Sequence, residues 1–302
     1  MRGTTTRDTS AEPKQAAPPG QLYLVATPIG NLEDITLRAL RILREARWVA
    51  CEDTRQTRKL LLRHGISARL VSCHEHNEKK RAAELVAALE RGEDVALVTD
   101  AGTPLVSDPG FLLVRAAIEH RIRVVPVPGA SAVLAALGAS GIPCEEFVFA
   151  GFLPARRGER RRALEHLRAE ARTIVLFEAP HRIAGSLADA AEILGERPAA
   201  VARELTKVYE EFRRGSLAQL AAQFSEAAPR GEITLIIGPP EKLVPPAPGG
   251  PPAASQQASL AERVAELMIA EGLKRNEALK RVARERGLNR REAYRRLLAG
   301  RE

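Results

Sequence analysis

The stretch Val95–Gly110, VALVTDAGTPLVSDPG, joins an apolar run to a loop that contains acidic residues, glycines and prolines. Residues 95–98 are apolar and partly β-branched, which is typical of a parallel strand covered on both faces. In open α/β sheets, ligands bind outside the carboxyl ends of such strands, where Asp100 and Gly102 fall. We therefore predict a buried central strand followed by a loop that forms the floor of a ligand pocket. The alternative is an ordinary strand-to-helix loop without a ligand.

Further apolar runs alternate with helical patterns on both sides of this strand. Alternation of five strands with helices predicts a parallel α/β domain over residues 21–141. The helices are expected to begin at short polar side chains, which cap free N–H groups. The predicted cap residues are Asp34 or Thr36, Asn77, and Asp108 with Pro109. The predicted strands are Gln21–Ala26, Trp48–Glu52, Ala68–Cys73, Val95–Val98 and Arg123–Val127.

The dipeptide Ile142-Pro143 marks a boundary, after which the pattern starts again. A second α/β domain is predicted over residues 142–238, with polar residues at its strand ends, as a cleft between two domains requires. Its predicted strands are Glu146–Phe152, Thr173–Phe177, Ala200–Lys207 and Gly231–Gly238.

The remaining segments differ in composition from these domains. Residues 1–20 are rich in Thr, Pro, Ala and charge, which predicts a frayed tail. Residues 239–258, rich in Pro, Ala and Gly, predict a flexible linker. Three amphipathic patterns over residues 259–302 predict a module like a helix-turn-helix; the alternative is a dimerisation or docking bundle. The predicted apolar positions include Val264, Leu267, Met268, Leu279, Val282, Ala283, Tyr294 and Leu297.

The 302 residues carry a formal charge of +8, which suggests a polyanionic partner. Residues 259–302 alone hold 12 lysines and arginines against seven acids. The three cysteines are widely spaced and odd in number, so we expect no disulfide framework and a reducing compartment. Because no apolar leader and no membrane-length apolar window is found, we expect a cytoplasmic protein without a membrane span.

Two familiar kinds of ligand site are not expected. The dinucleotide fingerprint and the phosphate-binding loop are both missing from the sequence, which argues against NAD and ATP. The run Cys73–Asn77, CHEHN, crowds thiol, imidazoles and carboxylate together. We nevertheless predict no metal site, because a structural zinc site needs four convergent ligands and the His spacing splits their directions.

Seven arginines lie between Arg156 and Arg172, on or near a predicted helix. Arginine in place of lysine favours bidentate phosphate contacts, so we predict polyanion binding; the alternative is a solvated helix face. The predicted RNA contacts are Arg156, Arg157, Arg160, Arg161 and Arg162.

Eight motifs in this order resemble one known family. They are LVATPIGNLEDIT, CEDTRQTRKLL, HEHNE, VTDAGTPLVSDPG, VPGASA, FVFAGFLP, FEAPHR and RELTK. The family is that of the bacterial 16S rRNA (cytidine-2′-O)-methyltransferases, a branch of the tetrapyrrole methylase superfamily. The resemblance covers Gln21–Gly238, and the tail is similar to the helix-turn-helix domain of these proteins.

The resemblance implies a two-domain class III S-adenosylmethionine methyltransferase fold that binds S-adenosylmethionine in its cleft. It also implies a cytidine ribose in the decoding region of the 30S subunit as acceptor, and a homodimer. Tetrapyrrole-modifying relatives have G-x-G-P-G-D after the first strand, whereas this chain has ATPIGN, which fits the RNA branch. The cofactor residues that the resemblance implies are Pro28, Asp100, Ala101, Gly102, Thr103, Val106, Ser131 and Ala132.

A ribose hydroxyl is a weak nucleophile, so a base or a cation near it should help. The candidates are Asp53, Glu178, His181 and Lys207, and the sequence does not choose among them. Two other functions stay open. One is a nucleic-acid-binding protein without catalysis, which would leave the strand-end motifs unexplained. The other is a tetrapyrrole or other small-molecule methylase, which would leave the basic segments unexplained.

Overall fold

The first sheet is built from the five apolar runs that the sequence predicts. In the computed structural model, which describes residues 18–226, 229–240, 264, 267–268 and 274–285, its neighbouring strands are all parallel, in the order β3-β2-β4-β1-β5. All four residues of β4 are buried, with Val95 and Leu97 in one core cluster and Ala96 and Val98 in another. The predicted buried central strand is therefore confirmed. The strands are β1 (Leu22–Val25), β2 (Trp48–Cys51), β3 (Leu70–Ser72), β4 (Val95–Val98) and β5 (Val124–Val127).

Helices cover both faces of this sheet. The core cluster on one face includes residues of α1 and α2, and the cluster on the other includes residues of α3 and α4. A short 3-10 turn, Leu32–Asp34, follows β1. The helices of this half of the chain are α1 (Leu37–Glu45), α2 (Thr54–Arg63), α3 (Glu78–Glu90), α4 (Phe111–Glu119) and α5 (Ala132–Ser140).

The helix caps agree only in part with the predicted ones. Thr36 caps α1, because its hydroxyl accepts from the Ala39 N–H at 3.1 Å. The prediction that Asp108 caps α4 was wrong: Oε1 of buried Glu78 instead accepts from the N–H groups of Gly110 and Leu112 at 2.9 and 2.8 Å. Glu78 belongs to the neighbouring helix α3, so the spacing within the loop could not reveal it.

Asn77 precedes α3 but does not cap it as predicted. Its side-chain oxygen accepts from the His74 N–H at 2.9 Å, which stabilises the turn before the helix instead.

The second sheet is mixed, in the order β6-β7-β10-β8-β9. Only β6 and β7 pair in parallel; β10 is antiparallel to β7 and β8, and β8 is antiparallel to β9. Helices α6, α7 and α8 contribute to the apolar core on one face. The elements are β6 (Phe147–Phe152), α6 (Arg157–His166), β7 (Thr173–Glu178), α7 (Ile183–Leu194), β8 (Pro198–Arg203), β9 (Glu211–Ser216), α8 (Leu217–Glu226) and β10 (Ile233–Ile237).

Two features of this sheet differ from the sequence prediction. Strand β8 ends at Arg203 and not at Lys207, because Glu204 and Thr206 adopt positive φ angles of 52° and 65° that turn the chain. Edge strand β9 was not predicted; its sequence EFRRGS has little apolar content, and its place is set by pairing with β8.

Helix α5 joins the two sheets. It follows β5 in the chain, yet its Val133 and Ala136 share a core cluster with Val175, Ala200 and Ile236 of the second sheet. Accordingly, both sheets belong to one compact unit, Met1–Glu241. We call the half that contains the first sheet the first lobe and the half that contains the second sheet the second lobe. The predicted domain boundary near residue 142 stays a prediction.

The second compact unit is Lys242–Glu302. Its described residues include helix α9 (Arg275–Glu285). Five of the predicted apolar positions are buried in one cluster, whereas Met268 is 39% exposed. Tyr294, Leu297, residues 1–17 and residues 241–258 lie outside the described residues.

All three cysteines are free in this structure. Across the described ranges, no helix is long and apolar enough to cross a membrane, and no three His, Cys, Asp or Glu side chains are grouped to hold a metal ion.

Candidate active site

A cavity of about 350 Å³, the first cavity, lies where loops that follow β4 and β5 face the second sheet. Side chains from both lobes form its walls, and most of the wall is apolar. From the first lobe and α5 the wall includes Ile29, Asp100, Ala101, Gly102, Thr103, Val106, Ser107, Asp108, Ser131, Ala132 and Val133. From the second lobe it includes Phe152, Phe177, Glu178, Ala179, Pro180, Leu205, Gly231, Glu232, Ile233 and Thr234.

The loops after β1 and β4 are tied together beside the cavity. The N–H of Thr27 donates to the carbonyl of Gly102 at 2.9 Å, and the N–H of Gly102 donates back at 3.0 Å. Gly102 has a φ of +85°, and a Cβ added there would lie 3.3 Å from Cγ2 of Ile29. A side chain at this position would therefore be strained and would crowd the wall of the cavity.

Seven of the eight predicted cofactor residues line this one cavity. Asp100, Ala101, Gly102, Thr103 and Val106 come from the loop after β4, and Ser131 with Ala132 opens α5. The remaining one, Pro28, is buried and is not part of the wall. The sequence motifs therefore converge in space, and their assignment to a cofactor remains a proposal.

Acidic side chains in and beside the loop after β4 give it a negative character. Burial raises the pKa of Asp100, and nearby Asp53 raises it further although an N–H donor and Arg55 oppose the shift. Burial also raises the pKa of Asp108 and of Glu52, and Asp100 adds to both shifts. A positively charged ligand would relieve this repulsion, so the site suits a cation.

Asp53 is a poor base in this structure. It caps α2 by accepting from the Arg55 N–H at 2.8 Å, and it forms an ion pair with the Arg55 guanidinium at 2.8 Å. Hydrogen bonds from Arg55 hold the pKa of Asp53 down at about 2. Its backbone N–H donates to Asp100 at 3.2 Å, so Asp53 positions the cavity loop.

Glu178 lines the first cavity, but its carboxylate is already engaged. It accepts from Ser186 Oγ at 2.5 Å and from the Ala179 N–H at 2.8 Å, and it pairs with Nε of Arg182 at 3.1 Å. These bonds fix the turn after β7. His181, in the same turn, is exposed and lines neither this cavity nor the second one described next.

Lys207 lies between the first cavity and a second, more open cavity of about 650 Å³. Its Nζ donates to Glu204 Oε1 at 2.8 Å and to Glu232 Oε2 at 3.1 Å, and Glu232 lines the first cavity. Burial would lower the pKa of Lys207, but the two carboxylates outweigh burial and raise it. The second cavity is lined by Gly30, Asn31, Leu32, Glu33, Arg63, His64, Thr206, Lys207, Val208 and Tyr209.

The arginine run divides into buried and exposed members. Arg160 is buried and pairs with Asp189 Oδ2 at 2.6 Å, and Arg161 pairs with Asp189 at 3.2 Å and with Glu192 at 2.6 Å. Arg160 therefore holds α6 against α7 and is not available to a phosphate, which departs from the prediction for that residue. Arg156, Arg157 and Arg162 are exposed, and for them the RNA contact stays a prediction.

The sequence prediction missed the cavity wall that the second sheet supplies. Phe177, Ile233 and Thr234 lie on strands whose apolar patterns indicated only a buried sheet. Glu204 and Glu232, the partners of Lys207, were missed as well. The one available signal was the cluster of polar residues at the strand ends.

Comparisons with known proteins place this geometry in a family. Residues 21–221 match the profile of the Tetrapyrrole (Corrin/Porphyrin) Methylases. The chain is 57% identical over 222 residues to Ribosomal RNA small subunit methyltransferase I of Mesorhizobium japonicum, covering 73% of this chain and 76% of that protein. It is 47% identical over 276 residues to the protein of the same name from Halalkalibacterium halodurans, covering 91% and 93%.

A solved structure shares the fold. It is the uroporphyrin-III C-methyl transferase of Thermus thermophilus in complex with S-adenyl homocysteine, with a TM-score of 0.53 and 22% identity, covering 72% of this chain and 97% of that one. The two-lobed α/β arrangement is thus that of tetrapyrrole methylases, while the high identities lie with the ribosomal RNA enzymes. The chain belongs to the tetrapyrrole methylase family and, within it, to the group of ribosomal RNA small subunit methyltransferase I proteins.

Proposed function

We propose that this protein transfers the methyl group of S-adenosylmethionine to the 2′-hydroxyl of a cytidine in the decoding region of 16S rRNA. The observation that carries the proposal is the convergence of seven predicted cofactor residues on the first cavity. The names of the curated relatives support ribosomal RNA as the substrate. The ligand of the Thermus protein, S-adenyl homocysteine, supports the cofactor.

The first cavity fits S-adenosylmethionine in its chemistry. Ile29, Val106 and Phe177 give it apolar wall for a purine ring, and Asp100 with its acidic neighbours offsets the positive sulfonium. Its volume lies at the lower end of the usual range for small-molecule sites, about 300 to 1,000 Å³. At Gly102, the lack of a side chain leaves the ligand access to the backbone.

S-adenosylmethionine, when bound, would supply a methyl group from a sulfonium whose leaving group is a neutral thioether, so the protein would mainly have to align the reacting atoms. Alignment of this kind contributes about 7 to 11 kcal/mol in favourable cases. Among the four candidate residues, Lys207 is best placed, because it touches the wall of the first cavity through Glu232. Held protonated by its two carboxylates, Lys207 would donate a hydrogen bond to the acceptor oxygen and lower the pKa of the hydroxyl, whose proton passes to water.

The proposed acceptor is a nucleotide in an assembled 30S subunit, and the proposed active form is a homodimer in the cytoplasm. A 2′-hydroxyl occurs on every RNA nucleotide, so selecting one requires contacts over a wide surface. The exposed residues Arg156, Arg157 and Arg162 and the basic residues 259–302 support such a footprint.

One set of measurements tests this function. Calorimetry with S-adenosylhomocysteine should show binding that Asp100→Ala weakens, since Asp100 lies in the cavity wall. Labelled methyl groups should enter 30S subunits and not a porphyrin. Methylation of the porphyrin and not of RNA would replace the proposal with a small-molecule methylase, and the lack of any cofactor binding would leave only an RNA-binding protein.

The basic tail is tested separately. Deleting Ser259–Glu302 should leave S-adenosylhomocysteine binding unchanged and reduce methylation of 30S subunits far more than that of short RNA oligonucleotides. Equal activity on 30S subunits with and without this segment would exclude a role in RNA recognition and would leave docking or dimerisation as its role.

A further inference from the structure

We propose that the second cavity binds the nucleotide that is methylated, with Tyr209 stacked on its base and Arg63 against its phosphate. The inference rests on the proposed function and adds the site of the acceptor to it. The second cavity has one wall from the first lobe, which includes Arg63, and another from the turn between β8 and β9, which includes Tyr209. RNA bound there would therefore contact both lobes.

The tip of the β8–β9 turn exposes one aromatic and one aliphatic side chain. Tyr209 is 74% exposed and its neighbour Val208 is 92% exposed. Unstacked RNA bases stack on exposed aromatic rings of this kind. A base that has left its helix is thus the partner that Tyr209 fits.

The charged groups of the second cavity suit a nucleotide as well. Arg63 is exposed at the last turn of α2, and Lys207 lies on the opposite wall. A guanidinium on the rim matches a phosphate, whereas the carboxylate of Glu33 on the same wall is an acceptor for the exocyclic amine of a cytosine. Uracil presents a carbonyl at that position and would be repelled.

Two residues in the wall of the second cavity each have a buried polar atom without a hydrogen-bond partner among the described residues. The two atoms are Nε2 of His64 and Oγ1 of Thr206. Thr206 also has a φ of +65°, which is unusual for a β-branched residue. Unsatisfied polar groups and strained backbone of this kind concentrate at ligand sites.

The position of Lys207 connects this cavity to the chemistry. Its Nζ donates to Glu232, which lines the first cavity, while Lys207 itself lines the second. A ribose held in the second cavity would therefore reach the boundary between the two cavities, where the methyl group must be delivered. A site elsewhere on the surface would not have this connection.

The test is a comparison of steady-state kinetics on 30S subunits with the full-length protein. Tyr209→Ala should raise KM for 30S subunits by about tenfold, in line with the loss of one base stack, and Tyr209→Phe should keep the parental KM. Arg63→Gln should raise KM several-fold and lower the salt dependence of binding by roughly one phosphate contact. Arg58→Gln removes the same charge from the same helix outside the cavity and should behave like the parent.

Controls separate this inference from the proposed function. Each variant should keep the parental Tm and the parental affinity for S-adenosylhomocysteine. If the parent methylates 30S subunits while Tyr209→Ala and Arg63→Gln keep its KM, the second cavity is not the acceptor site and the proposed function survives. A change of oligomeric state in Tyr209→Ala without a change in KM would overturn the inference too, because the tip would then be a contact between copies of the chain. A parent that does not methylate RNA at all refutes the function itself.

Discussion

The first and second cavities adjoin the same turn, Leu205–Lys207, but have different walls. The wall of the first is mostly apolar and includes four acidic residues, and it is made largely by loops at the strand ends. The second is larger and more open, and its wall carries Arg63, Lys207 and an exposed tyrosine. A small cationic cofactor is best held by an enclosed apolar site with negative charge, whereas a polyanionic polymer needs an open, basic one. Lys207 lines the second cavity and contacts Glu232 in the wall of the first. The following predictions test whether the first cavity binds the cofactor and the second binds RNA.

The largest effect is expected at Lys207. Lys207→Met removes the cation between the two cavities and should lower kcat by about 1,000-fold, at the upper end of the range for the loss of one hydrogen-bond donor to a developing oxyanion. The affinity for S-adenosylhomocysteine should stay the same. His181→Ala and Asp53→Asn should cost far less, since neither side chain lines a cavity. Single-turnover rates on 30S subunits measure all three, and a small effect at Lys207 with a large one at His181 would reverse the assignment.

The next effect concerns helix α6 of the second lobe, in which Arg160 is buried and Arg162 is exposed. Arg160→Gln should lower the free energy of unfolding by about 3 kcal/mol, at the lower end of the range for a broken buried pair, because Arg157 and Arg161 still contact Asp189. Arg162→Gln should leave Tm unchanged and flatten the salt dependence of RNA binding. Thermal unfolding and filter binding separate the two, and equal Tm values would contradict the buried role of Arg160.

The first cavity should be sensitive to a side chain at Gly102. Gly102→Val introduces backbone strain at a φ of +85° and crowds Ile29, so we expect about 100-fold weaker binding of S-adenosylhomocysteine. Gly138→Val is the matched control, since a Cβ there has no atom within 4 Å. Calorimetry on both variants measures the difference, and parental affinity in Gly102→Val would remove the first cavity as the cofactor site.

The smallest effect is a pH dependence of stability in the second lobe. Burial would raise the pKa of Asp189, but the hydrogen bonds from Arg160, Arg161 and Arg157 outweigh it and hold the pKa below its ordinary value. A carboxyl whose folded pKa is lowered stabilises the fold above its unfolded pKa, about 3.9, and this contribution is lost as the pH falls through the folded value. Denaturant unfolding between pH 5 and pH 2 should therefore show a smaller acid loss for Asp189→Asn than for the parent.

The first lobe was predictable because its signals are local. Each parallel strand is an apolar run, and a strand buried on both faces, such as Val95–Val98, tolerates little else. The loop after it was predicted as a pocket because ligands of open α/β sheets bind outside the carboxyl ends of the strands. The second lobe was less predictable: β9 consists of polar residues, and its strand state depends on hydrogen bonds to β8.

By itself, the sequence determined the order of the strands along the chain, the central strand, the loop residues that the first lobe contributes to the first cavity, and the family that its motifs resemble. Only the tertiary structure decided that Glu78 caps α4, that Arg160 is buried against Asp189, and that Arg63 and Tyr209 face one second cavity. The physical reason is the distance along the chain over which each kind of interaction acts. Strand patterns, turns and glycines act over a few neighbouring residues, whereas the partner of a charge or the wall of a cleft comes from chain segments that meet only when the two lobes pack together.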